Sequence, residues 1–468
     1  MDNLSNRFRK VMMAFLISLI LLISYLSFYY VLKGEKVISS TYNSRLWLER
    51  NKILRGNIYD RDMNLLTESQ RLEDGSQKLI YHGGSEFAHV LGYMHPKYGL
   101  TGLQSMYDAE LMGKSKGGAA PVKSTGRKEG YDLKTTMNTE LQKTAFNALG
   151  NEKGSVVVLD AKSSEILTMV SKPSYNPNNL DENWADISTN QNSTLLNRAV
   201  SGLYTPGSVF KVITEAAALE NIPDVLNKRI NDEGALYYDG TKLLPNIGGR
   251  ALGNIGLKEA LTYSSNVYFG QLALDMGNDK LKGMSERFLF NNAIPADGII
   301  IDNSKFPKLG ASEVGDIAQT GIGQSSILAT PIQMALVAQT VANDGVMMKP
   351  MLVSGVMDEG KVVGIIEPER IDRIISSEHA AIIKDHMKNV VNEGTGKRAS
   401  VSGYQVSGKT GTAEHGEGKN DHSWFIGFAP YDNPQIAFSI IVEESQGKIA
   451  ASIAREIVNE AINQGLIK

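Results

Sequence analysis

The sequence predicts an α/β protein. Its main domain is one antiparallel sheet closed by both chain ends, preceded by a membrane-spanning helix and a short irregular segment. Three observations carry this. Residues 11–32 form one apolar run without a charge. Residues 154–171 read as a strand hairpin. Three strand-like runs and a helix then end the chain, after a middle part with helical periodicity.

The first run, "VMMAFLISLILLISYLSFYYVL", matches the roughly 20 residues that cross a bilayer as a helix. Arg7, Arg9 and Lys10 precede it and place the N-terminus in the cytoplasm. Tyr25, Tyr29 and Tyr30 suit the outer interface. A cleaved signal peptide is the alternative reading. The run is longer than a usual signal core, and no small-x-small cleavage site follows. An uncleaved anchor is therefore expected, with everything after Lys33 outside the cytoplasm.

Residues 33 to about 150 read as a non-catalytic pedestal, polar and irregular. "YHGGSEFAHVLGYMHPKYGLTGL" is rich in glycine, and "MGKSKGGAAPVKSTGRKEG" reads as loops or a hairpin arm. No catalytic grouping lies here, so a spacer or interaction module is expected. From Gly154 the signals sharpen. "GSVVVLDAKSSEILTMVS" is two apolar strands about a polar turn. "TPIQMALVAQTVANDG" is a capped helix, with Thr330 as N-cap, Pro331 as first helical residue, Gln333 completing a capping box and Gly345 as stop. "GYQVSGKTGTAE", "HSWFIGFAP" and "QIAFSIIVEE" are strand-like, and a helix is expected from about Ile449 to Asn463. The catalytic domain is placed at 151–468.

Composition removes several function classes. A net charge of −3 gives no electrostatic case for nucleic acid. The absence of cysteine excludes disulfides, thiol nucleophiles and cysteine zinc sites. The histidines at 82, 89, 95, 379, 386, 415 and 422 are scattered without metal spacing, which favours surface or loop histidines and no metal.

The chemistry-bearing stretch is "LYTPGSVFKVIT". Ser208 starts an apolar helix and Lys211 follows three residues later, so the two share a face about one turn apart. A serine needs a base to become a good nucleophile. A lysine amine serves if burial and a second cation lower its pKa by roughly 3 units. The helix N-terminus also favours negative charge building at the serine. The pair alone is weak, because Ser445 and Lys448 repeat the spacing by chance. "LTYSSNVYFG" adds Ser264-x-Asn266 between two amphipathic runs, although Ser174/Asn176 and Ser188/Asn190 match that pattern too and a helix cap is the bland reading. "SGKTGTAE" adds Lys409, Thr410, Gly411 and Thr412 on a strand. There glycine admits a substrate backbone, and a lysine with two hydroxyls suits a carboxylate. A surface strand ending in a turn is the alternative.

The order Ser-x-x-Lys, Ser-x-Asn, Lys-Thr-Gly is far more specific than its parts. In this order the chain resembles the class B penicillin-binding proteins, membrane-anchored peptidoglycan D,D-transpeptidases. The resemblance covers nearly the whole length. "RGNIYDRDMNLLTES", with Arg55, Gly56, Asp60 and Arg61, resembles the family's segment after the anchor. "GLTGLQSMYDAELMG" resembles its pedestal segment and "NRAVSGLYTPGSVFKVIT" its nucleophile segment. "GIGQSSILATPIQMA" and "NEGTGKRAS" also agree. Gln104 stands where the family carries glutamate, which puts one ionic contact near the Arg55 segment in question. Ser325 stands where glycine is common. The pedestal is short for the class, and no tail domain is expected after Lys468.

The resemblance implies a penicillin-binding-protein/β-lactamase-like fold, an antiparallel sheet flanked by helices. It implies that Ser208 is acylated, Lys211 is its general base, and Ser264 relays the proton with Lys409 tuning it. Asn266 would hold the substrate amide; Thr410 and Thr412, flanking Gly411, would bind the terminal carboxylate. The backbone N–H groups of Ser208 and Thr412 would form the oxyanion hole. No cofactor is implied. The implied partners are peptidoglycan stem peptides on lipid-linked glycan strands, β-lactams, the membrane through residues 11–32, and a polytopic glycan polymerase of the shape, elongation, division and sporulation family. That polymerase would contact the outer end of the span and the region from Arg55 to Asp60. The location implied is the bacterial cell membrane, single-pass. Alternatives are a D,D-carboxypeptidase, a β-lactamase, a scaffold, or a β-lactam sensor. A β-lactamase needs an extra base after Ser264, and Glu286, the nearest acid, does not match the pattern. Ten residues before the membrane leave a sensor no output domain.

Overall fold

The computed structural model describes residues 2–38, 47, 50–114, 129–413, 420–445 and 449–468. The chain begins with the helix Asp2–Ile38, within which Asn6–Phe28 is long and apolar enough to cross a membrane. Its large side chains from Phe8 to Phe28 are exposed, with no protein core against them.

The catalytic part is built on five strands in the spatial order Ser407–Ala413, His422–Ala429, Ile436–Val442, Gly154–Asp160, Ile166–Lys172, all antiparallel. The hairpin joining the last two turns on Asp160, whose Oδ1 accepts from the Lys162 and Ser163 N–H groups at 2.9 and 2.8 Å. Successive side chains of a strand point to opposite faces. Val157 and Leu159 enter one core with the fully buried helix Pro331–Ala342, while Val156 and Val158 enter a second with Leu141, Ala145, Ile453 and Ile457. Both faces are covered, so the strands read as unbroken apolar runs. Thr330 caps Pro331–Ala342 by accepting from the Gln333 N–H. The return half of the expected capping box is absent, because the Thr330 N–H donates instead to Ser304 Oγ at 3.2 Å while Gln333 Nε2 donates to the Phe288 carbonyl at 2.6 Å. The last helix is Ala450–Asn463.

The pedestal is more regular than its composition suggests. Ile58–Tyr59, Leu65–Arg71 and Gln77–Tyr81 join Asp132–Thr135, Val353–Asp358 and Lys361–Ile365 in one six-stranded sheet. These strands are short and half exposed, which hides their alternation in a polar sequence. The seam expected at 150 is crossed twice. The helix Thr139–Leu149 packs its apolar face under the catalytic sheet, and the hairpin 353–365 extends the pedestal sheet. Most of the proposed hairpin arm at 112–130 lies outside the described residues.

Arg55 and Asp60 are buried, so their side chains shape the pedestal, while Asn57 and Tyr59 between them are half-buried. Arg55 donates to Gln104 Oε1 at 2.6 Å, to the Gln104 carbonyl at 2.6 Å and to Asp108 Oδ1 at 2.7 Å. The contact in question at Gln104 is thus kept as a hydrogen bond, and Asp108 supplies the carboxylate. Asp60 accepts from the Thr139 hydroxyl at 2.5 Å and from Asn64.

The histidines also differ from expectation, since His386 and His422 are buried and His89 is half-buried. His89 is pushed down to about 4 by burial and meets the Thr194 carbonyl at 2.8 Å. Among the described residues no group of histidines and acids is placed to hold a metal.

Candidate active site

The nucleophile segment enters its helix through a tight turn. Gly207 has φ +56°, and a Cβ there would lie 2.6 Å from the Thr412 carbonyl, so the turn tolerates only glycine without strain. The Gly207 N–H donates to the Gly323 carbonyl at 2.9 Å, and Trp424 Nε1 donates to the Thr205 carbonyl at 3.1 Å. Ser208 does not open the α-helix directly. It lies in a 3₁₀ turn, Gly207–Phe210, that runs into the α-helix Lys211–Asn221. In 3₁₀ geometry residues i and i+3 eclipse, so Ser208 and Lys211 keep a common face.

Lys211 is fully buried. Its amine does not bond Ser208; it reaches past it to the Ser264 carbonyl at 2.8 Å, Asn266 Oδ1 at 2.8 Å and Ser264 Oγ at 3.2 Å. Lys409, also fully buried, donates to the same Ser264 Oγ at 2.9 Å and to the Thr410 carbonyl at 2.9 Å. Burial, and then the charge of Lys409, hold Lys211 well below the ordinary lysine range; the more distant Asp232 opposes them. Burial pushes Lys409 down to about 7.

The contacts of Lys211 accommodate a neutral amine, the form that burial and Lys409 favour. A neutral lysine amine has two N–H donors and one lone pair. Two short contacts of Lys211 go to pure acceptors, a carbonyl and an amide oxygen. Its lone pair is left for a hydroxyl proton. Ser264 Oγ accepts from Lys409 and can donate to Lys211. Lys211, Ser264 and Lys409 are thus joined in one hydrogen-bonded chain on the cleft that Ser208 lines.

Ser264 holds this place in a left-handed conformation, φ 60° and ψ 45°, between the helices Leu257–Tyr263 and Asn266–Met276. Such a conformation is strained for a side-chain-bearing residue and is held by its surroundings. Both ends of the Asn266 amide are engaged, since Nδ2 donates to the Pro245 carbonyl at 2.8 Å.

Lys409 to Thr412 lie on Ser407–Ala413, the edge strand of the sheet. A Cβ on Gly411 would sit 3.0 Å from Val209 Cγ1 and 3.0 Å from Trp424 Cβ, so glycine lets this strand close on the nucleophile turn. The unpaired edge faces a cleft of about 370 Å³ lined by Ser208, Ser264, Thr410, Gly411 and Thr412. An edge strand offers backbone donors and acceptors to an extended peptide.

All eight sequence-predicted residues thus gather around one cleft. The decoys do not line it; Ser174 donates to the Ser85 carbonyl at 2.6 Å, and Lys448 lies outside the described residues. Glu286 pairs with Lys282 and is not on the cleft wall. Sequence reasoning missed Asn246, Arg250, Tyr263, Thr395 and Trp424 on that wall. Thr395 shares a 2.6 Å hydrogen bond with Thr410. Its segment was noticed, but a lone threonine carries no signal of its own.

The chain was compared with known proteins. The family model for the penicillin binding protein transpeptidase domain matches residues 154–461. The peptidoglycan D,D-transpeptidase PbpA of Mycolicibacterium smegmatis is 32% identical over 495 residues, covering 99% of this chain and 100% of that protein. Among solved structures, the D,D-transpeptidase domain of a peptidoglycan glycosyltransferase from Eggerthella lenta superposes with a TM-score of 0.80 at 31% identity, over 89% of this chain and 100% of that one. The penicillin G acyl-enzyme complex of penicillin-binding protein A from M. tuberculosis gives 0.79 at 29% identity, over 88% of this chain and 100% of that one. With the fold, the ordered motifs and the matched length in agreement, the chain belongs to the penicillin-binding protein transpeptidase family, as a class B penicillin-binding protein.

Proposed function

We propose that the protein is a peptidoglycan D,D-transpeptidase that cross-links stem peptides through a Ser208 acyl-enzyme and is acylated by β-lactams at the same atom. The observation that carries this reading is the convergence of Lys211 and Lys409 on one hydroxyl, Ser264 Oγ, in the cleft that Ser208 lines.

The reaction follows from these groups. A stem peptide ending in D-Ala-D-Ala lies along the strand Ser407–Ala413, with its terminal carboxylate at Thr410 and Thr412. Neutral Lys211 takes the Ser208 hydroxyl proton as Oγ attacks the penultimate carbonyl carbon. The N–H groups of Ser208 and Thr412 receive the developing oxyanion. Ser264, polarised by Lys409, passes a proton to the departing amine, the C–N bond breaks and D-alanine leaves. The amine of a neighbouring stem then attacks the ester, returns its proton through the same chain and frees Ser208. Asn266 guides the substrate amide.

The charge-free run at 11–32 within the first helix, and the Arg7, Arg9 and Lys10 before that run, support a single-pass anchor with a cytoplasmic N-terminus and an extracytoplasmic catalytic domain. The pedestal would hold the cleft off the bilayer, with a polytopic glycan polymerase as its partner.

The test is labelling of the full-length protein with a fluorescent penicillin, followed by mass mapping of the modified residue. Ser208 carries the label, and Ser208→Ala abolishes it. A label on Ser445, or one that survives Ser208→Ala, overturns the assignment.

A further inference from the structure

Asp232 lies behind the Ser264–Asn266 loop. It ends the strand Ile230–Asp232, is fully buried and forms no ion pair among the described residues. A buried carboxylate without a counter-ion is costly unless donors surround it. Here they do. Oδ1 accepts from the Gly234 N–H at 2.9 Å and from Asn246 Nδ2 at 2.8 Å; Oδ2 accepts from Ser265 Oγ at 2.6 Å and from the same Asn246 Nδ2 at 2.9 Å.

The direction of each bond is fixed by its neighbours. Ser265 Oγ accepts from the Tyr268 N–H at 3.0 Å, so its proton points to Asp232. Asn246 Oδ1 accepts from the Asn266 N–H at 2.7 Å and the Val267 N–H at 3.3 Å, so its Nδ2 must be the end that faces Asp232. Every group around the Asp232 carboxyl is a donor. Asp232 therefore grips the residue after Ser264 directly. Through Asn246 it also grips the backbone of Asn266, so the two residues that follow the strained Ser264 are both held, and with them the Ser264 and Asn266 oxygens that touch Lys211.

We propose that Asp232 is a positioning residue of the site: through Ser265 and Asn246 it locks the left-handed Ser264 and the Asn266 amide against Lys211. This rests on the acyl-enzyme reading above. The groups that act on the Lys211 charge are Lys409, which disfavours it, and Asp232, which favours it.

The test measures the second-order rate of acylation by benzylpenicillin against pH, on full-length protein, for three chains. In Asp232→Asn, an amide N–H₂ must face a donor, the loop shifts, and the rate falls by about 10²-fold, as for a displacement of roughly 1 Å. With the negative charge gone, the acidic limb of the profile also moves to lower pH. Ser265→Ala removes the hydrogen bond to Asp232 Oδ2 and the cap on the Tyr268 N–H but no charge, and slows acylation about tenfold with an unmoved limb. It also keeps the test decisive if Asp232→Asn fails to fold. Wild-type rate in either folded variant, or a rate loss in Asp232→Asn with an unmoved limb, overturns the proposal. Failure of the parent chain to acylate at Ser208 overturns the underlying reading instead, so the two failures are distinguishable.

Discussion

Replacing Gly323 by alanine should slow the chemistry without touching a catalytic group. Gly323 has φ +74°, and a Cβ there would lie 2.1 Å from the Gly207 carbonyl oxygen and 2.6 Å from Phe210 Cβ. Both neighbours belong to the turn that carries Ser208. Opening the shorter contact to about 3 Å requires the turn to move by roughly 1 Å, and misplacement of that size costs about 10²-fold in rate. The left-handed backbone adds about 1–2 kcal/mol of strain for any L side chain, and overpacking a further 1–3 kcal/mol. Gly360 separates these effects. It has φ +75° in the hairpin turn at 359–360, with nothing within 4 Å of the Cβ position. Gly360→Ala should carry the backbone penalty alone, lowering thermal stability by about 1–2 kcal/mol while acylation by fluorescent penicillin stays at the parent rate. Gly323→Ala should lose about 10²-fold in that rate even at temperatures where it is fully folded. Equal acylation by the two variants would refute the argument that contact with Gly207 sets the position of Ser208.

Three further outcomes follow from the charges. Acylation should rise with pH as Lys211, depressed by burial and Lys409, gives up its proton, and fall again as Lys409, pushed down to about 7 by burial, loses its charge. The two limbs belong to the coupled pair, and a profile flat from about pH 5 to about pH 10 excludes a lysine base. Burial alone would lower His386, but the Glu215 carboxylate against it outweighs burial and holds it above the usual 6.5. A raised histidine adds stability below 6.5 that is lost as pH rises through its folded value; thermal melts should show this loss in the parent chain and not in Glu215→Gln. Gln104→Ala removes a 2.6 Å hydrogen bond from the buried Arg55 guanidinium. It should cost about 1.5–3 kcal/mol in denaturant unfolding and leave penicillin acylation of the folded protein unchanged.

The parts of this molecule that were legible in the sequence are those where burial on two sides writes a continuous apolar run. The strands Gly154–Asp160 and Ile436–Val442 read plainly for that reason, as did the capped helix Pro331–Ala342. The pedestal strands did not, because Leu65–Arg71 hides one face only and carries threonine, glutamate and glutamine. The contacts that cross the expected boundary were hidden for a related reason: pairing of Val353–Asp358 with Asp132–Thr135 joins segments some 220 residues apart, and no local pattern encodes such a partner. Ser208, Ser264 and Lys409 were legible because three short motifs in a fixed order are specific. Asp232, Asn246 and Thr395 were not. Each is one polar residue in a loop or strand end, and its role exists only once the chain has folded around the motif residues.

The two buried lysines explain why no carboxylate touches them. Removing an ammonium from water costs several kcal/mol, and a buried lysine is ordinarily repaired by a direct ion pair. Among the described residues neither Lys211 nor Lys409 has one; their partners are carbonyl, amide and hydroxyl oxygens. A carboxylate in contact would hold Lys211 protonated and abolish it as a base. Asn266→Asp tests this directly, because it puts a carboxylate oxygen where Oδ1 now lies, 2.8 Å from Lys211 Nζ. An opposite charge that close raises a pKa by about 1–3 units, so the acidic limb of the acylation profile should move up by at least about one unit. Acylation on that limb should fall by about 10- to 10³-fold and partly recover as pH rises. Recovery stays incomplete, because the bond from Nδ2 to the Pro245 carbonyl becomes an oxygen–oxygen contact. The shift is opposite in sign to that of Asp232→Asn, although both variants change one carboxylate near the same lysine. An acidic limb that stays in place in Asn266→Asp would mean that Lys211 is not the group whose deprotonation limits acylation.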